Sequence, residues 1–566
     1  MSRLHTLKDI FKRLNRMSKV SGILLGLALL VCMVGCGGGS STPAPTPTPV
    51  NPASVTPASV AVPIGTTQQF SAAGFPGTVT WTINPSVGTI DANGLYHAPA
   101  TFPNPNNFTV TATSGSTTAN TTAAVVFPND NAGAQSAPVK LGSSGGNAAD
   151  VGAKVCCIGT LGSLWTRADL ANPIILSNNH VLARSSQGVA GEAIDQPGQP
   201  ACFASDIPVA NLTQQAPLAP AGTTQGRTGP SPSNVDAAIA MIISGTVDTA
   251  GTILDLGATA GTTSLPAAPP SGTVGTAALN MNVAKSGRTT GLTCSTIASI
   301  ALNVQVDYET SCGSNVNAFT ATYTNQVSVN GGNFSAGGDS GSLIVDSTTA
   351  RPIALLYGGS TTDTVANPIQ DVIAAFKNGA NALTPVGGAD HAVSCAPTAS
   401  AGANQAGALS TSVPISAEER QRVVAVQPRA AAMMKDSAIQ SFTVGASADN
   451  PKEGALVIKA SRALNTTIPP AIDGVRTRVV FDSASGVQPQ ISQVQIDRAL
   501  AAKEAHVSSL MGQPGIQGVG VSASLDNPSE TAISIYVVKG VEHPPIPATI
   551  DGVRTRIFES ERFKAY

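Results

Sequence analysis

Short apolar segments, broken every few residues by glycine or proline, run through most of this chain. Helical periodicity stays weak until "IQDVIAAFKNG", which begins at residue 369. With 56 Gly and 40 Pro in 566 residues, long helices are disfavoured and short strands joined by tight turns are favoured. The pattern predicts a mainly β, multidomain protein of roughly three to four domains. Only 11% of residues are charged and the formal net charge is -2, so neither nucleic acid nor an acidic surface is expected as a partner.

Residues 1–36 read as a targeting segment. Basic residues precede "ILLGLALLVCMV", a run too short to span a bilayer comfortably and followed by small residues. Its end, "MVGC", resembles a bacterial lipoprotein box, which implies lipidation of Cys36 and attachment to a membrane of the cell envelope, at the outer membrane or cell surface. A start at Met17 would give a signal of more typical length. Residues 37–52 are a Pro/Thr-rich linker. Residues 53–127 alternate in short segments, as in an antiparallel sandwich, and "VGTIDANGLYHAPA" resembles bacterial immunoglobulin-like domains. Trp81 is expected in that core.

Residues 138–385 hold the longest run of β pattern, predicted to be a barrel architecture closed by a helix. A second linker is expected over 386–415. The C-terminal part is α+β and internally repetitive: "IPPAIDGVRTRVV" matches "IPATIDGVRTRIF". Two units, 416–480 and 493–566, each read as a helix, a hairpin turned at Asp-Asn-Pro and a further strand.

The chemistry centres on "FSAGGDSGSLIVD", where Ser340 sits among small residues. A serine hydroxyl is a weak nucleophile without a base. Of six histidines, four lie in the signal, the sandwich or the repeat, leaving His180 and His391. His180 ends the apolar run in "PIILSNNHVLA". The orienting carboxylate should be buried, and Asp236 leads the apolar strand of "NVDAAIAMI", where an unpaired charge would be costly. Asp195, Asp206 and Asp255 lie in polar, turn-like contexts and read as surface residues.

The order His180, Asp236, Ser340, with "GGDSGS" and a histidine closing a strand, resembles the chymotrypsin-fold (trypsin-like) serine proteases. The phrase "KSGRTTGLTCS" also recurs in bacterial members. The resemblance implies a double β-barrel, a peptide or protein substrate, and no cofactor or metal. It implies an oxyanion site made by the backbone amides of Gly338 and Ser340. It places Phe334 at the base of the substrate pocket, which argues against Lys/Arg preference, and Gly358 and Gly359 in its wall. Asp339 needs an internal partner, since no activation cleavage sequence precedes the domain. Ser342 stands where relatives often have glycine.

Six cysteines remain beyond the signal. An even number in an exported chain suggests disulfides. Cys294 and Cys312 flank a stretch that reads as two strands and could close a hairpin. Adjacent Cys156 and Cys157 point to opposite faces of a strand and need different partners, leaving Cys202 and Cys395.

Two other readings compete. One is an α/β-hydrolase-like esterase using Ser340, Asp371 and His391. The other is a non-catalytic envelope adhesin or scaffold with a protease-like barrel.

Overall fold

The computed structural model describes residues 53–565 except 58, 64, 100–106, 127–130, 151–157, 199–206, 219–226, 259–265, 310–317, 396–414, 462 and 482–490. The segment expected to be a signal, with Cys36, and Cys156, Cys157, Cys202 and Cys312 therefore lie outside the described residues. Among the described residues strands dominate, and the α-helices are Asn179–Leu182, Ile369–Ala375, Ala417–Met433 and Gln493–Met511. No described helix is long and apolar enough to cross a membrane.

The N-terminal part is a small sandwich. Strands Ser59–Pro63, Thr117–Val126, Asn107–Ser114 and Thr80–Asn84 form one sheet, faced by Thr67–Gln69, Leu95–His97 and Thr89–Ile90. Phe70, Tyr96 and Phe108 fill the space between, and Trp81 packs against them half-buried.

The central region builds two larger sheets. In the first, Ile174–Ser177 and Ala238–Ile242 are antiparallel neighbours, with Ser177 opposite Ala238. Their apolar residues meet Leu164 and Trp165 in one core. The Trp165 indole N–H donates to Ser163 Oγ at 2.8 Å, so burying the ring strands no polar group. The second sheet closes on itself. Asn282–Gly287, Gly291–Tyr308, Phe319–Asn330, Asp363–Pro368, Pro352–Gly359 and Leu343–Asp346 form a ring of antiparallel pairs. Val283, Ile297, Val329, Ile344 and Leu356 pack within it. The helix at Ile369–Ala375 follows its last strand, as the sequence predicts.

Three expectations are corrected. The stretch after Cys294 is one strand of 18 residues, Gly291–Tyr308, not two. At about 3.3 Å per residue such a strand carries the chain out of disulfide range. Cys294 instead bonds Cys395, 101 residues away, so Cys395 is no partner for Cys156 or Cys157. The disulfide also shows that the second linker does not begin at 386. Val386 N–H donates to Leu164 O at 2.9 Å, and Val393 is buried against the first sheet. Lastly, Asp195 and Asp255 are buried rather than on the surface; Asp206 lies outside the described residues.

The C-terminal units share an element order. In each, a helix precedes two antiparallel strands, and a later strand joins the sheet in parallel: Gly454–Ala460 with Val475–Phe481, and Thr531–Val538 with Val553–Ser560. Arg476 Nη1 donates to Thr555 O at 2.6 Å, and Arg554 Nη1 to Thr477 O at 2.7 Å, so the units clasp each other reciprocally. The later unit is also continuous with the second barrel. Strand Ile516–Ala523 adds to the far edge of Gly291–Tyr308, with Ser522 opposite Ser299 and Val519 opposite Asn303. Buried Lys503 seals this seam through a 2.6 Å bond from Nζ to Asn303 Oδ1.

Candidate active site

His180 and Asp236 come from the first sheet, Ser340 from the second. Strand Ile174–Ser177 gives way at Asn178 to the short helix Asn179–Leu182, so His180 lies on a helical turn rather than an open one. Asp236 precedes Ala238–Ile242, the strand paired to Ile174–Ser177. That pairing aligns the two side chains. Asp236 Oδ2 lies 2.6 Å from His180 Nδ1.

Asp236 has no exposed surface. Burying a carboxylate is tolerable only where donors replace water. Tyr308 OH donates to Oδ2 at 2.8 Å, while Asn179 N and His180 N donate to Oδ1 at 2.8 and 3.2 Å. Asn178 Nδ2 donates to the Asp236 carbonyl at 2.7 Å, and Asp236 N donates to Asn367 Oδ1 at 3.0 Å. The carboxylate is thus held by several donors, and it in turn meets the imidazole at Nδ1. Burial pushes the Tyr308 hydroxyl well above its usual range, with the Asp236 charge adding to the effect, so it stays protonated and keeps donating.

Ser340 sits on a turn framed by glycines. Gly338 has φ +97° and Gly341 φ +92°. A methyl at Gly341 would collide with Ser177 Oγ and Thr160 O, and one at Gly338 with Thr289 Oγ1. Those missing side chains let the two sheets touch. Thr160 N donates to Ser340 O at 2.7 Å, and Ser177 Oγ donates to Thr160 O at 2.7 Å. A methyl at Gly159 would lie 2.9 Å from Ser340 O and 2.5 Å from Val181, so the His180 helix and the Ser340 turn abut. The Ser340 hydroxyl donates to Tyr357 O at 3.3 Å.

Amides along the turn divide into two sets. Those of Asp339, Gly341 and Ser342 donate to Ala336, Leu356 and Asp339 carbonyls. Those of Gly338 and Ser340 find no acceptor among the described residues. The Ser342 hydroxyl donates to Asp339 O at 2.6 Å and ties the turn shut, which a glycine at this position could not do.

Asp339 finds its partners internally. Thr289 N, Thr290 N and Ala336 N donate to its carboxylate at 2.8, 3.1 and 3.0 Å, Thr290 Oγ1 donates at 2.8 Å, and Lys285 Nζ lies 3.6 Å away. Lys285 is fully buried; burial lowers its ammonium below the usual range, and Asp339 opposes that. Sequence reasoning missed Lys285 and Tyr308. The signals were a lysine inside the buried strand "NVAKSG" and a tyrosine ending the long strand.

Phe334 is corrected. Only 2% exposed, it packs into the second-barrel core with Val283, Ile344 and Leu356, so its ring is part of that core and does not floor an open pocket. Gly358 and Gly359, expected in a pocket wall, end strand Pro352–Gly359, and their outer edge is paired with Ala565 and Lys564. The esterase set does not assemble. Asp371 accepts from Asn325 Nδ2 at 2.9 Å, and His391 Nε2 lies 2.9 Å from Pro269 O. Among the described residues no group of three or more His, Cys, Asp or Glu could hold a metal.

Residues 49–125 match the family described as bacterial Ig-like domain (group 2). No curated protein matches the chain. Several solved structures resemble it, and they are serine proteases. A glutamic acid specific serine protease aligns at 18% identity over 44% of this chain and 100% of its own, with a TM-score of 0.28. Nocardiopsis protease aligns at 16% identity over 40% and 92%, with a TM-score of 0.26. Thermobifida fusca protease A aligns at 16% identity over 44% and 98%, with a TM-score of 0.27.

Proposed function

We propose that the chain is an exported serine endopeptidase, held to the cell envelope by lipid on Cys36, with Ser340, His180 and Asp236 as its triad. The observation that carries this reading is the buried Asp236 carboxylate, held 2.6 Å from His180 Nδ1 and by three further donors, beside a serine on a glycine-framed turn. A carboxylate on Nδ1 makes Nε2 the basic nitrogen and stabilises the imidazolium that forms.

In the proposed reaction His180 takes the Ser340 proton as the oxygen attacks the peptide carbonyl. The carbonyl oxygen becomes an oxyanion, and the amides of Gly338 and Ser340, which lack acceptors among the described residues, are its donors. His180 then gives the proton to the leaving amine. Water, deprotonated by His180, then attacks the acyl-enzyme carbonyl, and His180 gives that proton to the Ser340 oxygen as the acyl bond breaks and the acid product leaves.

A fluorophosphonate probe and a peptide library test the reading together. Ser340→Ala and His180→Ala should each abolish hydrolysis and labelling, while His391→Ala should leave both unchanged. Hydrolysis that survives in His180→Ala but not in His391→Ala would sink this triad.

A further inference from the structure

Strand Pro352–Gly359 runs past the nucleophile. The Tyr357 carbonyl accepts from Ser340 Oγ, and Gly341 N donates to Leu356 O at 2.9 Å. A peptide to be cut at Ser340 must lie extended there, and the natural way to hold it is as an added strand on the edge just beyond Tyr357. That edge is occupied by the chain itself. Lys564–Ala565 pairs antiparallel with it, Ala565 opposite Gly358 and Lys564 opposite Gly359. This register brings Ala565 to within one residue of Tyr357, whose carbonyl the Ser340 hydroxyl meets.

The approach is close enough to need glycine. A side chain at Gly358 would collide with the Lys564 carbonyl. The segment is also firmly held. Arg562 Nε donates to Asp307 Oδ2 at 2.8 Å, beside the Tyr308 that orients Asp236. Phe563 is fully buried among Tyr308, Tyr357 and Tyr536, and its N–H donates to Gln517 Oε1 at 3.1 Å. Asp307 N donates to Phe563 O at 3.0 Å. Ser340 has no exposed surface in the full chain.

We infer that residues 561–565 are an autoinhibitory pseudo-substrate: the later C-terminal unit, fused to the barrel by its sheet, delivers this strand to the edge where a substrate peptide would bind. The inference rests on the protease reading. It makes the C-terminal unit the element that sets when the site opens. Substrate gains the edge only when Lys564–Ala565 leaves it, through a partner that draws the segment away or a protease that trims it.

The test compares the full chain with a chain ending at Phe563, which keeps the Arg562 and Phe563 anchors, and with full-length Lys564→Pro, which cannot pair through that amide. The readout is the rate of fluorophosphonate labelling at Ser340. Both altered chains should label at least ~10-fold faster than the parent, and a synthetic Glu-Arg-Phe-Lys-Ala-Tyr peptide should slow the shortened chain competitively. Equal labelling of all three, blocked by Ser340→Ala, would overturn the autoinhibition and leave the protease reading standing. No labelling of any chain, with melting curves showing all three folded, would overturn the protease reading and the autoinhibition with it.

Discussion

At the residue scale, the site shows how a buried charge is made tolerable. Asp236 meets four donors within 3.2 Å, and three of them are fixed by backbone or by the core. Tyr308 supplies the side-chain donor from outside the proposed triad. It touches no substrate and acts by positioning Asp236. Tyr308→Phe keeps the ring, which stacks on Phe319 at 5.0 Å, and removes only the hydroxyl. Losing one hydrogen bond to a charged group should lower kcat about 10-fold with KM unchanged. A rise in KM instead would mean that the hydroxyl shapes the cleft rather than the triad. The residues proposed as the triad could be named from the sequence because each carries a local mark: a histidine after an apolar strand, an acid before one, a serine among glycines. Tyr308 and Lys285 carry no such mark. Their partners are remote in sequence, and only the closed barrel brings them together.

At the element scale, the reciprocal clasp of the C-terminal units has an electrostatic weak point. Ser447 Oγ and Ala448 N each donate to Asp526 at 2.6 Å, and Ser524 Oγ and Leu525 N each donate to Asp449 at 2.6 Å. Burial, with the Asp449 charge adding to it, pushes Asp526 up to about 6 from an ordinary 3.8. A carboxyl whose folded pKa is raised contributes most stability below its unfolded value and loses that contribution as pH rises through the folded one. The window is therefore about pH 4 to 6. Asp526→Asn should flatten the pH dependence there: melting curves from about pH 4 to 7 should show the parent losing stability relative to the variant as pH rises. Parallel curves would place the proton elsewhere. The matched sequences raise the expectation of two similar units, and Gly454–Ala460 with Val475–Phe481 and Thr531–Val538 with Val553–Ser560 pair in the same parallel sense. What they could not foretell is that strand Ile516–Ala523 docks on Gly291–Tyr308, because an exposed strand edge offers generic backbone groups to any partner.

At the scale of the whole molecule, closure depends on long-range ties. The Cys294–Cys395 bond spans 101 residues and pins the segment leaving the second barrel to the start of the long strand. Removing loop entropy of that size from the unfolded chain stabilises by about 4–5 kcal/mol. A Cys294→Ala, Cys395→Ala double variant should therefore unfold at a clearly lower urea midpoint. A midpoint within error of the parent would show that the barrel closes without the bond. The same long strand carries the disulfide at one end and Asp307 and Tyr308 at the other. It links the disulfide, the C-terminal unit, the tyrosine that donates to Asp236 and the strand Lys564–Ala565.

By itself the sequence determined the mainly β class, the sandwich, the closing helix and the identity of the residues proposed as nucleophile, base and acid. Each of these follows from residues near in sequence: strand period, turn chemistry, or a polar residue where an apolar run ends. Only the tertiary structure decided the disulfide partner, the partners of Asp339, the burial of Phe334 and the strand lying on Gly358 and Gly359. Those depend on which distant segments share an edge or a core. Backbone hydrogen bonding and apolar packing are too unspecific in sequence to announce that choice in advance.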